Sequence, residues 1–409
     1  MRSVWIINEY AYSKKDSGGT RHFNLANNLA KHNIDTFVIA GSLVHNTREQ
    51  RIKSEKNFLI EKIENVNFLW IRLNNLSGIY IPKRIFLMLQ FFLKVIFFKN
   101  VNYLQKPDII IGSSPTLLSA LAAYILSKRY KAKFVYEVRD LWLLSLEEIG
   151  FLKKNNLFYI LIDFIDNFLA RNSHKLIILF KGAKKYYMKK GIKSNKFLFI
   201  PNGTNYIPYT KNKPNFKDNK FKIFYLGAHG KFNDLFNIIK AFKIIQDNQL
   251  SSNINLYLYG EGNQKNDLIK FVKDQNLKNI FFNKAINRDE LILKAKDADA
   301  FIFSLINRPN LYKYGLSFNK IYEYMIMSRP IVFTTCTNQL PREKEKLGLF
   351  TDSDNPKKLA LEIIKLSNLP LHEREKISLD NYEFVCRNNI YSLLSEKLAK
   401  GLFDNQNLS

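Results

Sequence analysis

Hydrophobic and polar positions along the chain alternate between two periods. Short runs rich in β-branched and aromatic residues, at Val4–Ile7, Thr36–Ala40, Asp108–Gly112, Phe134–Glu137, Lys175–Leu179 and Phe197–Ile200, read as strands. Between them, over 20–31, 115–129, 155–171 and near 182–190, apolar residues recur at helical spacing. Strands separated by helices predict parallel pairing, because a parallel connection must cross back over the sheet. Pro201-Asn202-Gly203 then opens a polar stretch reaching Asn219, read as a linker. A second series follows, with strands at Lys222–Leu226, Asn255–Tyr259, Asn279–Phe282, Ala300–Leu305 and Ile331–Thr334 and helices over 234–247, 265–275, 288–296 and 318–327. The pattern Tyr382–Leu402 is helical. The expected fold is α/β, two Rossmann-like doubly wound domains, residues 1–202 and 220–384, joined by 203–219. A chain of 409 residues is longer than one hydrophobic core usually supports. In open sheets of this kind, ligands bind beyond the carboxyl ends of the strands.

Composition narrows the partners. Apolar residues make up 46% and charged residues 24%, so the chain should fold throughout. A formal charge of +27 attracts phosphate-rich partners: nucleic acid, anionic lipid or nucleotides. No basic stripe interleaved with stacking aromatics supports the first. Cys336 and Cys386 have no paired spacing, which signals neither a disulfide framework nor zinc and fits a reducing cytoplasm. The apolar start ending at Asn8 is too short for a signal peptide and reads as a strand. Ile85–Phe98, flanked by Lys83, Arg84 and Lys99, is too short to span a bilayer. It fits an interfacial helix on anionic lipid and equally a core helix; Lys153-Lys154 and the aromatic helix starting at Leu157 tip the reading towards membrane contact.

Candidate chemistry lies in the strand-to-helix loops. Gly18-Gly19 opens the first helix, where free backbone N–H groups would receive phosphate or a sugar hydroxyl, although a plain turn fits as well. Arg139, Asp140 and Trp142 follow a strand; position favours a site, and an Arg139–Asp140 ion pair is the structural alternative. Tyr225-Leu-Gly-Ala-His229-Gly-Lys231-Phe-Asn233 and Gly260-Glu261-Gly262 end two strands of the second domain, and flexible backbone beside a cation suits a diphosphate. The sharpest segment is Tyr314 to Met325. Asn319 and Lys320 fall in the first turn of a helix, with Glu323 a turn further on the same face and placed to accept ribose hydroxyls. Asp297-Ala298-Asp299 and Asp352-Ser353-Asp354 read as helix ends or caps rather than metal ligands. No metal or cofactor is expected.

Taken in order, GGTRHFNLANNLAKHNIDTFVIAG, PDIIIGSSPTLLSALAA, YEVRDLW, IPNG, YLGAHGKFNDL, YGEG and YGLSFNKIYEYMIMSRPIV resemble the retaining, metal-independent GT-B glycosyltransferases of the bacterial O-antigen, capsule and colanic-acid type, which include the L-fucosamine transferases. The resemblance implies two domains facing across a cleft, with a last helix, about 385–409, packing back on the first. It implies a UDP-linked sugar donor, as substrate rather than cofactor, and a saccharide acceptor on undecaprenyl diphosphate at the inner face of the cell membrane. Glu323 matches the second glutamate of the family's E-x(7)-E motif, and Gly315 stands where the first is expected. Asn319, Lys320 and Lys231 would hold the diphosphate, with Gly18 and Gly19 on the opposite wall. Backbone around Gly315–Ser317 would meet the donor sugar, and Asp140 would orient the transferred sugar or the acceptor. Arg139, His229 and Gly262 complete the expected donor contacts. Ala228 departs from the family's usual Gly-Arg pair, shifting the phosphate clamp onto Lys231 and Lys320. Transfer would keep the anomeric configuration by same-face attack, without a protein nucleophile. A nucleotide-sugar 2-epimerase shares this fold and is the rival reading.

Overall fold

A computed structural model of the chain describes residues 1–16, 19–44, 49–74, 81–98, 104–148, 150, 152–153, 155–209, 220–250, 253–286 and 288–403. Gly18, Lys99, Lys154, most of the expected linker and the end of the chain lie outside the described residues. The chain divides into two compact units, 1–202 with 391–409, and 203–390.

The first unit is built on eight strands: β1 (Arg2–Ile7), β2 (Ile34–Gly41), β3 (Phe58–Ile63), β4 (Val66–Ile71), β5 (Ile109–Ser113), β6 (Lys133–Val138), β7 (Lys175–Ile178) and β8 (Phe197–Phe199). Their order is β3-β4-β2-β1-β5-β6-β7-β8, parallel except for β3, which turns back antiparallel onto β4. The β3–β4 hairpin has no counterpart in the sequence reading. Its edge strand leaves Leu59 and Ile60 exposed, so the alternation that marks a half-buried strand is weak there. The strand order reverses between β1 and β5, which places a switch point at their carboxyl ends.

The second unit holds β9 (Phe221–Leu226), β10 (Ile254–Tyr259), β11 (Ile280–Asn283), β12 (Ala300–Phe303), β13 (Ile331–Thr335) and β14 (Gly348–Asp352) in the order β11-β10-β9-β12-β13-β14, all parallel. Here the order reverses between β9 and β12. One face of this sheet packs on the helices Leu235–Asp247 and Pro356–Asn368, whose Leu235, Ile238, Phe242, Leu359 and Ile363 are fully buried. The other packs on Asn319–Ile326 through Ile321, Tyr324 and Met325. Burying such side chains contributes about 1.5–3 kcal/mol each.

The end of the chain corrects one expectation. The pattern Tyr382–Leu402 is two helices, Leu371–Asn388 and Tyr391–Leu402, broken at Asn389-Ile390. There Thr204 pairs with Ile390, and the Tyr382 hydroxyl donates to the Ile207 carbonyl at 2.9 Å, tying the longer helix to the second unit. Tyr391–Leu402 joins the first unit, where Ser395 donates to the Leu25 carbonyl at 3.1 Å.

Candidate functional site

At the switch point of the second unit, the loops after β9 and β10 are drawn together. His229 N donates to the Glu261 carbonyl and Gln264 N to the His229 carbonyl. Glycine is required for this approach: a Cβ at Gly260 would stand 1.9 Å from the Gly227 oxygen, and one at Gly262 2.3 Å from the His229 oxygen. Beside these loops begins the Asn319–Ile326 helix, whose N-cap, Phe318, makes no side-chain capping bond. Its first-turn N–H groups therefore keep their capacity for an anion, and the helix dipole adds to it.

Lys320 reaches from this turn into the loop after β9. Its Nζ donates to the Tyr225 hydroxyl at 3.0 Å and to Asn233 Oδ1 at 2.5 Å, and lies 4.5 Å from the Tyr225 ring centre. The Ala228 carbonyl closes the network, accepting from Tyr225 at 2.7 Å and from Asn233 Nδ2 at 2.9 Å. The amine lies beside Gly227, where a Cβ would meet it at an ordinary contact distance of 3.4 Å. Burial pulls the Lys320 amine down to about 7, against the opposing effect of Glu323. His229 is fully buried with both ring nitrogens unpartnered, and burial with Lys265 nearby lowers it to about 4. Asn319 Oδ1 is likewise buried without a partner.

The switch point of the first unit is arranged differently. Glu137, at the end of β6, accepts from Arg21 Nε at 3.0 Å and from Ser113 Oγ at 2.6 Å, and bonds His22 Nε2 at 2.7 Å. Arg21 is fully buried and also donates to the carbonyls of Ile200 and Pro201. Burial alone would raise Glu137, but Arg21 and His22 hold it well below the usual carboxylate range. His22 is lowered by burial, with Glu137 opposing. Arg139 and Asp140 form no ion pair with each other among the described residues. The Arg139 Nε is buried without a partner. Asp140 keeps an exposed face beside a recess lined by Ser114, Tyr136 and Trp142, and desolvation raises its carboxyl.

Residues 207–383 match the family model of glycosyl transferases group 1. The matched stretch lies within the second unit. A search of curated proteins finds no match. Among solved structures, the chain is similar to a sucrose-phosphate synthase from Thermosynechococcus elongatus, with a TM-score of 0.71, 14% identity and 98% of each chain covered. It is similar to a trehalose-6-phosphate protein from E. coli bound with UDP-2-fluoro glucose, with a TM-score of 0.71, 12% identity and coverage of 98% and 99%. It also resembles HepE of Anabaena in complex with UDP-glucose, with a TM-score of 0.65, 13% identity and coverage of 98% and 99%. These likenesses give the chain the α/β GT-B fold.

Within the second unit the structure gathers His229, Gly262, Asn319, Lys320 and Glu323 around the carboxyl end of β9 and the start of one helix. Ser317 lies just before that helix. Lys231 stands on the rim, exposed in the short turn Lys231–Asn233 and bonded to none of them. Asn233, from the same turn, holds Lys320 instead. Arg139, Asp140 and Gly19 belong to the first unit. Sequence reasoning gave Tyr225 and Asn233, the two ends of that segment, no role, since a tyrosine inside a strand and an amide in a turn carry no signal until the lysine closes the ring. It also passed over Arg21 and His22, although both stand in the motif after Gly19. Of the Asp-x-Asp pairs, Asp299 accepts from Lys222 N at 2.7 Å and Asp297 pairs with Lys294. Among the described residues no group of three or more His, Cys, Asp and Glu side chains is placed to hold a metal ion.

Proposed function

We propose that the chain moves a hexosamine from a UDP-linked donor to a lipid-linked saccharide acceptor, with retention and without a metal ion, in the assembly of a surface polysaccharide. The observation that carries this reading is the seat of Lys320 at an uncapped helix start, with Glu323 one turn on along the same face. Two adjacent phosphates fit an ammonium and first-turn N–H groups together, and a carboxylate at that spacing fits a ribose diol. The leaving diphosphate then gains fixed positive charge as the sugar departs; removing one such donor typically costs about 3–4 kcal/mol of transition-state stabilisation.

The acceptor side of the proposal draws on the first unit. No described helix is long and apolar enough to cross a membrane. The helix Ile81–Ile96 buries Leu87, Phe91 and Val95 and exposes Ile85, Phe86, Leu89 and Leu93, so it serves the core on one face and is apolar on the other. The helix Leu157–Asn172 exposes Leu157 (77%), Phe158, Ile160, Leu161 and Phe164 (65%). Lys181, Lys184, Lys185 and Lys189 line the adjoining helix Gly182–Lys189. Asp166 fixes these two helices, accepting from Tyr136 at 2.9 Å and Tyr187 at 2.8 Å. Apolar side chains beside lysines suit the interface of an anionic bilayer.

The test is a panel of UDP-sugars with undecaprenyl-diphosphate-linked GlcNAc, read as UDP release and glycolipid product. Release that requires the acceptor supports the proposal; a changed donor sugar without any acceptor assigns the chain to the epimerases. Liposomes containing anionic lipid should sediment the protein, and Phe158→Ser with Phe164→Ser should abolish that while leaving UDP binding intact.

A further inference from the structure

Lys320 has two hydrogen-bond acceptors, the Tyr225 hydroxyl and Asn233 Oδ1, and neither carries a charge. A neutral primary amine has two N–H bonds and a lone pair, whereas an ammonium has three N–H bonds. The seat therefore satisfies both N–H bonds of the neutral amine and leaves the third N–H bond of the ammonium without a partner among the described residues. The orientation of Asn233 is fixed by its Nδ2 donating to the Ala228 carbonyl, which turns Oδ1 towards the amine. Tyr225 donates to the same carbonyl, so its hydroxyl oxygen is free to accept. Four bonds thus close a ring around one nitrogen.

We propose that Tyr225 and Asn233 are positioning residues that hold the Lys320 amine ready to take a proton from solvent when a nucleoside diphosphate binds, the new third N–H bond going to a phosphate oxygen. This rests on the donor site assigned above. The groups facing the amine are Glu323 on its own helix, Tyr225 from β9, and Asn233 and His229 from the loop after β9. Glu323 and the Tyr225 ring favour the charged form; burial opposes them more strongly and draws the amine to about 7, and His229 stays neutral. A bound diphosphate reverses that balance with two adjacent anionic groups. Near neutral pH the proton is then taken up on binding and released with the product nucleotide.

The experiment is calorimetric titration of the intact protein with UDP at pH 8, in two buffers of different ionisation enthalpy, whose difference counts protons. The wild-type protein should take up most of one proton, and its affinity should fall by approaching tenfold per pH unit above pH 7. Asn233→Asp places a carboxylate on the amine and keeps it charged in the empty site, so uptake at pH 8 should disappear. Tyr225→Phe keeps the ring and removes the acceptor; it should raise the donor KM about tenfold at an unchanged melting temperature. UDP binding without proton uptake in the wild type, uptake retained in Asn233→Asp, or an unchanged KM in Tyr225→Phe overturns the inference while leaving the donor site standing. A protein that binds no UDP overturns both.

Discussion

The two units each seat a basic side chain at the switch point of a largely parallel sheet, and they treat it in opposite ways. Arg21 meets a carboxylate and two backbone carbonyls, and Glu137 on its side gathers Arg21, His22 and Ser113. Every partner is supplied by the protein, so the cluster is closed and its work is to hold the first helix against the ends of β6 and β8. Lys320 meets a hydroxyl and an amide. No carboxylate bonds its amine among the described residues, and the anion that would hold its charge is what a diphosphate brings. A buried charge that is fully paired is architecture; one held by neutral acceptors beside open N–H groups is a binding site in waiting.

The largest effect should come from breaking the closed cluster. Glu137→Ala leaves Arg21 buried without its carboxylate and should cost about 3–5 kcal/mol of folding stability, read from denaturant unfolding. A loss below 1 kcal/mol would place Arg21 among surface-like pairs and erase the contrast. Lys320→Met should act in the reverse sense: melting temperature unchanged or raised, UDP affinity lowered about 100-fold, equivalent to about 2.7 kcal/mol. A large stability loss there would make Lys320 a structural cation like Arg21. Gly262→Ala drives a methyl into the His229 backbone and should cost about 1–3 kcal/mol, with weaker UDP binding measured by the same titration.

The smallest effect is on pH. Folding lowers His22 from 6.5 and Glu137 from 4.5. A histidine lowered in the folded state favours the unfolded chain once that chain can take the proton, so its contribution is whole above pH 6.5 and is lost on acidification. Glu137 acts in the same direction from pH 4.5 downward, because its charged form is the one the fold prefers. The urea midpoint should therefore fall between pH 7 and pH 5 and more steeply below 4.5. A flat midpoint over the first interval would show that His22 is not buried in its neutral form.

The sequence by itself determined the two α/β series, because strand and helix periods are local and buried parallel strands read as unbroken apolar runs. It also pointed to Lys320 and Glu323, since spacing along one helix fixes which residues share a face. Tertiary structure alone decided the rest. It set the β3–β4 edge hairpin, whose pattern is diluted by exposure, and the break at Asn389-Ile390, where pairing with Thr204 overrides helical periodicity. It chose Asn233 over Lys231 as the partner in the loop, although the lysine carries the charge. It joined Arg21 to Glu137 across 116 positions of chain. Contacts between residues distant in sequence leave no period behind them, so which cation is paired and which is left waiting is settled only when the loops converge.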